Sequence, residues 1–287
     1  MEGIKWFFRI IKENFKPFQT IFSWKHNSNS GIMTFNLRRD SHADGKNNWK
    51  HRRNSIMRMF NSTAPAIVGV QECMPHMWKF LKLNLKKRYA FNCSAEIVGA
   101  RKLDKTFLFP SEGLGIFYDK KKYKRLDSGM FWLSDTPDRF SRTWGNDTPR
   151  ICVWISLLEN DTNKNILVLN THLDHESGEA RIKSSKLIHD FVVTKKFDEV
   201  YIMGDMNTSY NSSELKELNE NYEVSGTFLT NGKGTFNNFK GQQSQQIDAI
   251  FWKNELKLAD VQIITDGYGV DFLSDHYPLI TRFEAWQ

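Results

Sequence analysis

The residues best suited to chemistry in this sequence follow short apolar runs. Each run has the length of a β-strand, and polar side chains with donor, acceptor or acid–base capacity stand at its end or its start. These groups are Asn36, Gln71-Glu72, Asn170-Thr171-His172-Leu173-Asp174-His175, Gly204-Asp205-Met206-Asn207, Asp248 and Ser274-Asp275-His276. Because a rigid sheet places the polar groups at its strand ends around a cleft, we expect these side chains to converge.

The mixture of side chains indicates metal-assisted hydrolysis of a phosphoester. Carboxylates such as those of Glu72 and Asp275 are hard oxygen ligands that suit Mg2+ or Mn2+. The imidazoles of His172 and His276 can transfer protons, and asparagine amides can donate to a phosphoryl oxygen without the repulsion that a carboxylate would cause. A single Asn or Asp after a strand is more often a turn or a helix cap, but six such strand ends in one chain predict a shared cleft.

The motifs, in this order, resemble the endonuclease/exonuclease/phosphatase superfamily, which includes DNase I, apurinic/apyrimidinic endonucleases, inositol polyphosphate 5-phosphatases, sphingomyelinases and deadenylase nucleases. They span most of the chain from Gly31 onward, and the strings at residues 36–38, 131–137 and 170–175 are similar to a bacterial-type branch with no firmly assigned substrate. The resemblance implies an α/β fold of the layered α+β type. Its expected form is a DNase I-like four-layer sandwich, in which two mixed β-sheets pack face to face and helices flank them.

The resemblance also implies a role for each matching residue. Glu72 is expected to be the principal metal ligand, with Asp275 as a second or water-mediated ligand, for Mg2+ or Mn2+. Asp205 would orient or deprotonate the attacking water, and Asn207 would bind the scissile phosphate. His276 is expected to be the catalytic histidine, with Asp248 as its orienting partner. His172 would contact the phosphate or the leaving oxygen, with Glu112 as its partner. Asn36 and Asn170 are expected to bind the substrate.

Several polar residues near these motifs stay outside the predicted catalytic set. Asp174 and His175 have no role that the resemblance assigns, and they are candidates for lining the cleft or binding a second metal. The arginines Arg101, Arg150 and Arg52-Arg53 could add positive charge for substrate phosphates. Because the DNA-repair members carry a tyrosine at the position of His172, a specific abasic-site activity is not expected.

A rival interpretation starts from residues 170–175. This string is one substitution away from HxHxDH, the strand-end zinc motif of metallo-β-lactamase-type hydrolases. Asn170 replaces the first histidine, so one zinc ligand is missing, and that fold gives no reason for Glu72, Asn207 or Ser274-Asp275-His276. We therefore favour the phosphoesterase interpretation.

The first thirty residues differ from the rest of the chain. Apolar residues recur every three or four positions from Ile4 to Phe22, and five basic residues against two acidic ones give residues 1–30 a charge of +3. This pattern predicts a basic amphipathic helical extension and linker over residues 1–30, followed by one catalytic domain over residues 31–287. The helix can pack on the domain, or residues 4–24 can make peripheral contact with an anionic membrane.

Composition narrows the class of protein and of partner. The 287 residues contain 40 Lys+Arg against 33 Asp+Glu, a net charge of +7, which favours a phosphate-containing partner without selecting one. Trp132, Trp144 and Tyr268 could stack nucleic-acid bases if they are exposed. Three cysteines without a CxxC pair predict a reducing compartment, and we expect a cytoplasmic monomer that is either free or membrane-associated through its first helix. No apolar run approaches the roughly 20 residues of a membrane span.

The sequence thus predicts an Mg2+- or Mn2+-dependent phosphoric ester hydrolase that acts by in-line attack of water. A nuclease is the favoured activity. The alternatives are a phosphatase or phosphodiesterase acting on inositol phosphates, lipid head groups or another small phosphoester, and a non-catalytic phosphate-binding module. The module would lack catalytic groups, whereas this chain retains the whole core set.

Overall fold

A computed structural model describes residues 30–93, 112–229, 234–241 and 245–284. Residues 1–29 of the extension predicted at 1–30, and Arg101, lie outside the described residues, so the predicted domain boundary between residues 30 and 31 stays a prediction. None of the described helices has the length and continuous apolar character needed to cross a bilayer.

The described residues form twelve strands and four α-helices. The strands are β1 (Ser30–Asn36), β2 (Ile67–Gln71), β3 (Tyr89–Cys93), β4 (Gly115–Asp119), β5 (Tyr123–Trp132), β6 (Ile151–Glu159), β7 (Asn165–His172), β8 (Glu199–Asp205), β9 (Glu223–Val224), β10 (Asp248–Lys253), β11 (Leu258–Ile263) and β12 (Leu279–Phe283). The helices are α1 (Trp49–Thr63), α2 (Pro75–Leu85), α3 (Gly178–Val193) and α4 (Lys216–Asn221), with 3-10 turns at His42–Asn47, Ser213–Leu215 and Ser225–Phe228.

The strands make two mixed sheets of six strands each. One has the order β11-β12-β1-β2-β4-β3, and the other has the order β5-β6-β7-β8-β10-β9. Each sheet has one parallel pair at its centre, β1 with β2 and β7 with β8. The remaining neighbours are antiparallel. The two central pairs end at the same edge of the sandwich, where the polar groups of the sequence lie.

The sheets pack face to face, and each central strand is buried on both sides. In β2, Ile67 faces the other sheet and Val68 faces the helices, so the strand reads as a continuous apolar run. Ile116, Val168 and Ile250 join Ile67 in the layer between the sheets. Each such side chain contributes about 1.5–3 kcal/mol when fully buried.

Helices cover the two outer faces of the sandwich. Trp49 and Phe60 of α1 and Leu81 of α2 pack on the first sheet. Ile188 of α3 and Leu218 of α4 pack on the second sheet. The four-layer sandwich predicted from the sequence is therefore confirmed.

Gly204 allows the two parallel strands of the second sheet to approach closely beside the site. A Cβ at this position would lie 2.0 Å from the carbonyl oxygen of Thr171 in β7. Because no side chain fits at that distance, a glycine must precede Asp205 at the end of β8. The spacing between His172 and Asp205, which lie opposite each other in the ladder, depends on this glycine.

Candidate active site

The ends of four central strands bring the predicted residues together. Asn36 ends β1, Glu72 follows β2, and His172 and Asp205 end β7 and β8 opposite each other. The Nδ2 of Asn36 donates to Glu72 Oε1 and to Asp205 Oδ2, at 3.0 Å in both cases. One buried amide therefore joins the polar edge of the first sheet to that of the second.

Asp205 lies at the centre of the cluster. Its Oδ2 is 3.5 Å from Nε2 of His172 and 3.6 Å from Nε2 of His276, and its Oδ1 accepts the backbone N–H of Asn207 at 3.0 Å. The carboxylate is buried, with its residue 1% exposed. Asp205 thus has one oxygen between two imidazoles and the other held by the backbone, which is the arrangement expected of a group that orients water.

Asp248 holds the ring of His276 from the opposite side. Asp248 begins β10, directly across from Asp205, and its Oδ2 lies 2.8 Å from Nδ1 of His276. Burial would lower the pKa of His276, but the charges of Asp248 and Asp205 outweigh it and raise the pKa to about 10. In this environment the imidazole carries a proton on each nitrogen at neutral pH.

His172 has the opposite electrostatic character. Burial is the largest influence and lowers the pKa of His172 to about 4, even though Asp205 opposes the change. The two imidazoles beside Asp205 therefore differ in charge at neutral pH, with His172 neutral and His276 cationic. His276 can therefore donate a proton beside the carboxylate of Asp205, whereas the neutral ring of His172 keeps a lone pair on one nitrogen.

Glu72 is fixed as an ionised carboxylate. Burial would raise its pKa, but the neighbouring imidazoles of His172 and His276, the backbone N–H of Arg39 and the amide of Asn36 lower it to about 2. Arg39 donates to Oε2 at 2.9 Å. Glu72 itself has φ 56°, a left-handed turn immediately after β2 that lets the side chain reach back to the strand ends.

Asp275 supplies a second buried carboxylate near Glu72. Its Oδ1 accepts from Ser274 Oγ at 3.1 Å, and its Oδ2 lies 3.5 Å from Nη1 of Arg38. Burial raises the pKa of Asp275, and Glu72 adds to the rise against the opposing charge of His276. The negative charges of Glu72 and Asp275 repel each other. Their oxygens form a donor set whose charge Mg2+ or Mn2+ would neutralise.

A second group of possible ligands shares atoms with the acid–base cluster. Asp205, Asp248 and His276 each offer a ligand atom, and these atoms lie within 4.8 Å of one another. The 2.8 Å hydrogen bond between His276 and Asp248 already occupies Nδ1, so we interpret this pair as an acid–base pair. The all-oxygen set of Glu72 and Asp275 fits a hard divalent cation better.

Asn207 reaches the site through a left-handed turn. Its φ is 50°, and its Nδ2 donates to the carbonyl of Leu173 at 2.9 Å. An amide nitrogen carries two hydrogens, so one remains for a phosphoryl oxygen. The geometry is compatible with the phosphate contact expected for Asn207, which stays a prediction.

Glu112 and Asn170 have surroundings that the sequence does not reveal. Arg39, rather than His172, is the partner of Glu112, with Nη1 and Oε1 2.9 Å apart. Asn170 lies between the sheets with no exposed surface, where Nδ2 donates to the carbonyls of Val70 and Gly115 at 2.9 and 3.0 Å. Its Oδ1 accepts from Gln71 Nε2 at 2.7 Å. The catalytic role of Glu112 and the substrate contact of Asn170 stay predictions, and Asn170 also acts as a bridge between the sheets.

Two arginines that the sequence reasoning did not assign organise this edge. Asn36 Oδ1 accepts the backbone N–H of Arg38 at 2.9 Å, and Arg38 has φ 53°. This turn directs the next backbone N–H, that of Arg39, to Glu72. The available signal was the pair of arginines two residues after Asn36, the first of which ends the string that resembles the bacterial-type branch.

Other expected surface groups are buried. Trp132 and Trp144 are 7% and 5% exposed, so neither side chain is exposed enough to stack on a nucleic-acid base. Arg52 is also buried and donates to the carbonyls of Leu37 and Leu273 at 2.8 and 2.6 Å, so it holds two loops together and does not face a substrate. Tyr268 is partly buried against the first sheet's helices.

Comparison with known proteins agrees with this geometry. A sequence model described as "Endonuclease/Exonuclease/phosphatase family" matches residues 33–276. The chain belongs to this family. The family resemblance drawn from the motifs is therefore confirmed, and with it a hydrolase of the DNase I-like fold.

Solved structures share the whole sandwich. A family member from Bacteroides vulgatus superposes with a TM-score of 0.79 at 26% identity, covering 90% of this chain and 99% of that chain. A mannosyl-6-phosphatase from Bacteroides thetaiotaomicron superposes with a TM-score of 0.76 at 24% identity, covering 89% of this chain and all of that chain. An uncharacterized protein of Acanthamoeba polyphaga mimivirus is 25% identical over 280 residues, which cover 88% of this chain and 99% of the relative.

Proposed function

We propose that this chain is a divalent-metal-dependent phosphoesterase that cleaves a phosphoester bond by in-line attack of water. The observation that carries the proposal is the position of Asp205. Its carboxylate lies between the imidazoles of His172 and His276 and receives the amide of Asn36 from the other sheet. A water bound beside this carboxylate would be oriented by groups that are already fixed before substrate arrives.

The donor set of the first sheet would hold the metal. Glu72 is a half-buried carboxylate and Asp275 a buried one, and the low pKa of Glu72 keeps it ionised at neutral pH. Mg2+ or Mn2+ would supply a Lewis acid that neutralises charge on a phosphoryl oxygen. Asn36 contacts Glu72 directly, so it couples the metal-binding carboxylate to Asp205.

The charge states of the side chains assign the proton transfers. Asp205 accepts the proton of the attacking water, because its neighbour His276 is already protonated. The Nε2–H of His276, held by Asp248, donates to a phosphoryl oxygen or to the leaving oxygen. His172 is neutral and can hydrogen-bond to the same phosphate, together with the second amide hydrogen of Asn207. No covalent enzyme intermediate is required.

Nucleic acid is the substrate that the charge of the chain favours. The net charge of +7 attracts a polyanion, and Arg38 and Arg39 lie next to the candidate metal site. Base stacking on Trp132 or Trp144 does not contribute, since both are buried. The same fold carries a mannosyl-6-phosphatase in Bacteroides thetaiotaomicron, so a phosphatase is the second candidate.

A substrate panel tests the proposal. Purified protein is assayed with Mg2+ and with Mn2+ on single-stranded DNA, RNA, inositol phosphates, a hexose phosphate and sphingomyelin. We expect hydrolysis of one class, its loss in EDTA, and its loss in His276→Ala. His51→Ala is the matched control, because His51 is exposed on α1 away from the cluster. Activity that survives in EDTA, or in His276→Ala, would contradict the proposed mechanism.

A further inference from the structure

Asp174 and His175, the two residues of the strand-end motifs without an assigned role, both bind Arg150. Arg150 Nε donates to Asp174 Oδ2 at 3.3 Å, and Arg150 Nη2 lies 2.9 Å from His175 Nδ1. A guanidinium group has donors only, so His175 Nδ1 must be the acceptor, and the ring proton is on Nε2. Two neighbouring residues thus fix two of the three guanidinium nitrogens.

Asp174 is itself held rigidly by the backbone. Its Oδ1 accepts the N–H groups of Glu176 and Ser177 at 3.1 and 2.8 Å, and its residue is 2% exposed. Ser177 immediately precedes α3 and is its N-cap, accepting the N–H of Ala180 at 3.1 Å. The carboxylate that orients Arg150 is therefore anchored to the first turn of a helix, and the geometry of Arg150 is preorganised.

The guanidinium keeps donors for a ligand. Arg150 Nη1 makes no hydrogen bond to any residue in the described ranges, and it is not among the polar atoms sealed from solvent. A planar guanidinium with two edges already fixed presents its remaining N–H groups in a defined direction, which suits the oxygens of a phosphate.

Arg150 lies at the flank of the cluster and not at its centre. It immediately precedes β6, whose Cys152 pairs with Thr171 next to His172. Its partners Asp174 and His175 follow His172 by two and three residues, so Arg150 lies on the His172 side of the cluster. Within the described part of the chain, no hydrogen bond or ion pair joins it to the residues around Asp205.

We infer that Arg150 binds a phosphate group adjacent to the scissile phosphoester, and that Asp174 and His175 are its positioning residues. This inference rests on the proposed phosphoesterase function. The ligand chemistry is a second phosphate on the same substrate, on the His172 side of the cleaved bond. A polynucleotide backbone and a bisphosphorylated small molecule both supply such a group.

Turnover on paired substrates tests the inference. One substrate is bis(p-nitrophenyl) phosphate, which has one phosphate. The other two are a tetranucleotide and an inositol bisphosphate, which have at least two phosphates each and are called the two-phosphate substrates. For Arg150→Ala we expect kcat/KM to fall about 10-fold, mainly through a higher KM, on the two-phosphate substrate that the wild type hydrolyses. On the one-phosphate substrate, kcat/KM should change less than about 2-fold. A selective loss on the tetranucleotide identifies a nucleic-acid backbone as the source, and a selective loss on the bisphosphate identifies a small molecule.

Three further variants separate binding from a general structural effect. Arg150→Lys keeps the charge but cannot bind Asp174 and a phosphate in the same plane, so it should recover only part of the loss. Asp174→Asn and His175→Ala should lower kcat/KM on the two-phosphate substrate alone. Arg142→Ala is the control, because Arg142 lies in the same loop and is more than half exposed. Equal losses on one-phosphate and two-phosphate substrates would overturn the inference.

A binding measurement keeps the inference testable if turnover is not found. Isothermal titration in EDTA, at one fixed salt concentration, measures the affinity of the full chain for the tetranucleotide, the inositol bisphosphate and inorganic phosphate. We expect Arg150→Ala to weaken binding of a two-phosphate ligand about 10-fold while phosphate binding is unchanged. If wild type and Arg150→Ala bind every ligand equally, the inference is wrong even where the proposed function holds.

Discussion

The imidazole of His276 is held by Asp248, with Nδ1 2.8 Å from Oδ2, although 28 residues separate the two in the chain. The contact fixes the ring so that Nε2 faces Asp205, 3.6 Å away. It also stabilises the charged imidazole, because Asp248 is the largest of the influences that raise the pKa of His276. Asp248 therefore sets both the orientation and the charge of the His276 ring.

Replacing Asp248 by Asn tests this relationship. The amide keeps the size of the side chain but removes the negative charge, so the pKa of His276 should fall and its ring should no longer be held in place by a carboxylate. We expect kcat to fall by roughly 10²–10⁴-fold, the range of a positioned acid or base, with little change in KM. Asp260→Asn is the matched control, because Asp260 is an exposed carboxylate on β11 that contacts Arg282. A kcat near that of the wild type would show that His276 does not need Asp248.

Asp205→Asn tests the central carboxylate. The side chain keeps its shape and can still accept the N–H of Asn207, but it cannot take a proton from water. Turnover should fall by at least about 10²-fold while the circular dichroism spectrum and the thermal midpoint stay close to those of the wild type. Asp190→Asn, on the exposed face of α3 where Asp190 pairs with Lys186, should leave turnover unchanged. Retained activity in Asp205→Asn would remove Asp205 from the mechanism.

Glu72→Gln tests the metal site without relying on turnover. Glu72 is ionised in the folded chain, and a neutral amide is a much weaker ligand for Mg2+ or Mn2+. Titration of Mn2+ followed by calorimetry should show a loss of affinity of about 10-fold or more relative to the wild type. Glu179→Gln, at the exposed start of α3, should bind Mn2+ as the wild type does. Equal Mn2+ affinity in both variants would place the metal elsewhere.

The protonated state of His276 predicts a pH dependence of stability in the metal-free protein. A pKa raised in the folded state contributes stability that is fully present below the unfolded value, about 6.5, and is lost as pH rises through about 10. In EDTA, the thermal midpoint of the wild type should therefore fall relative to that of His276→Gln over this interval. Because lysines and tyrosines titrate in both proteins, only the difference between the two curves reports His276. Parallel curves would mean that the folded pKa is close to the unfolded one.

Much of the site could be predicted because strand ends are visible in the sequence. An apolar run followed by Glu72 or by Asp205 marks a strand and the polar group beyond it. The parallel pairs at the centre of each sheet then place these ends at one edge. The pairing of the strands, and thus the contact between Asn36 and Asp205, needed the family resemblance, since periodicity alone does not choose among layered folds.

How deeply each side chain is buried could not be predicted in the same way. Asn170 and His172 are two residues apart on β7 and share a face of the strand, so the pattern treats them alike. The first is covered by β2 and β4, whereas the second lies at the open end beside Asp205. Likewise, Trp144 is closed off because its indole donates to Asp135 at 2.7 Å, a loop contact that no local pattern encodes.

Asn170→Ala separates the two possible roles of this residue. In the folded chain the Asn170 side chain satisfies the carbonyls of Val70 and Gly115 and the amide of Gln71, all buried between the sheets. Alanine leaves these groups without partners, each at a cost of about 1–3 kcal/mol, so the free energy of unfolding should fall by several kcal/mol in urea titration. If Asn170 only bridges the sheets, the fraction that stays folded at low temperature should turn over substrate with a KM close to that of the wild type. A higher KM with little change in stability would instead support the predicted contact between Asn170 and the substrate.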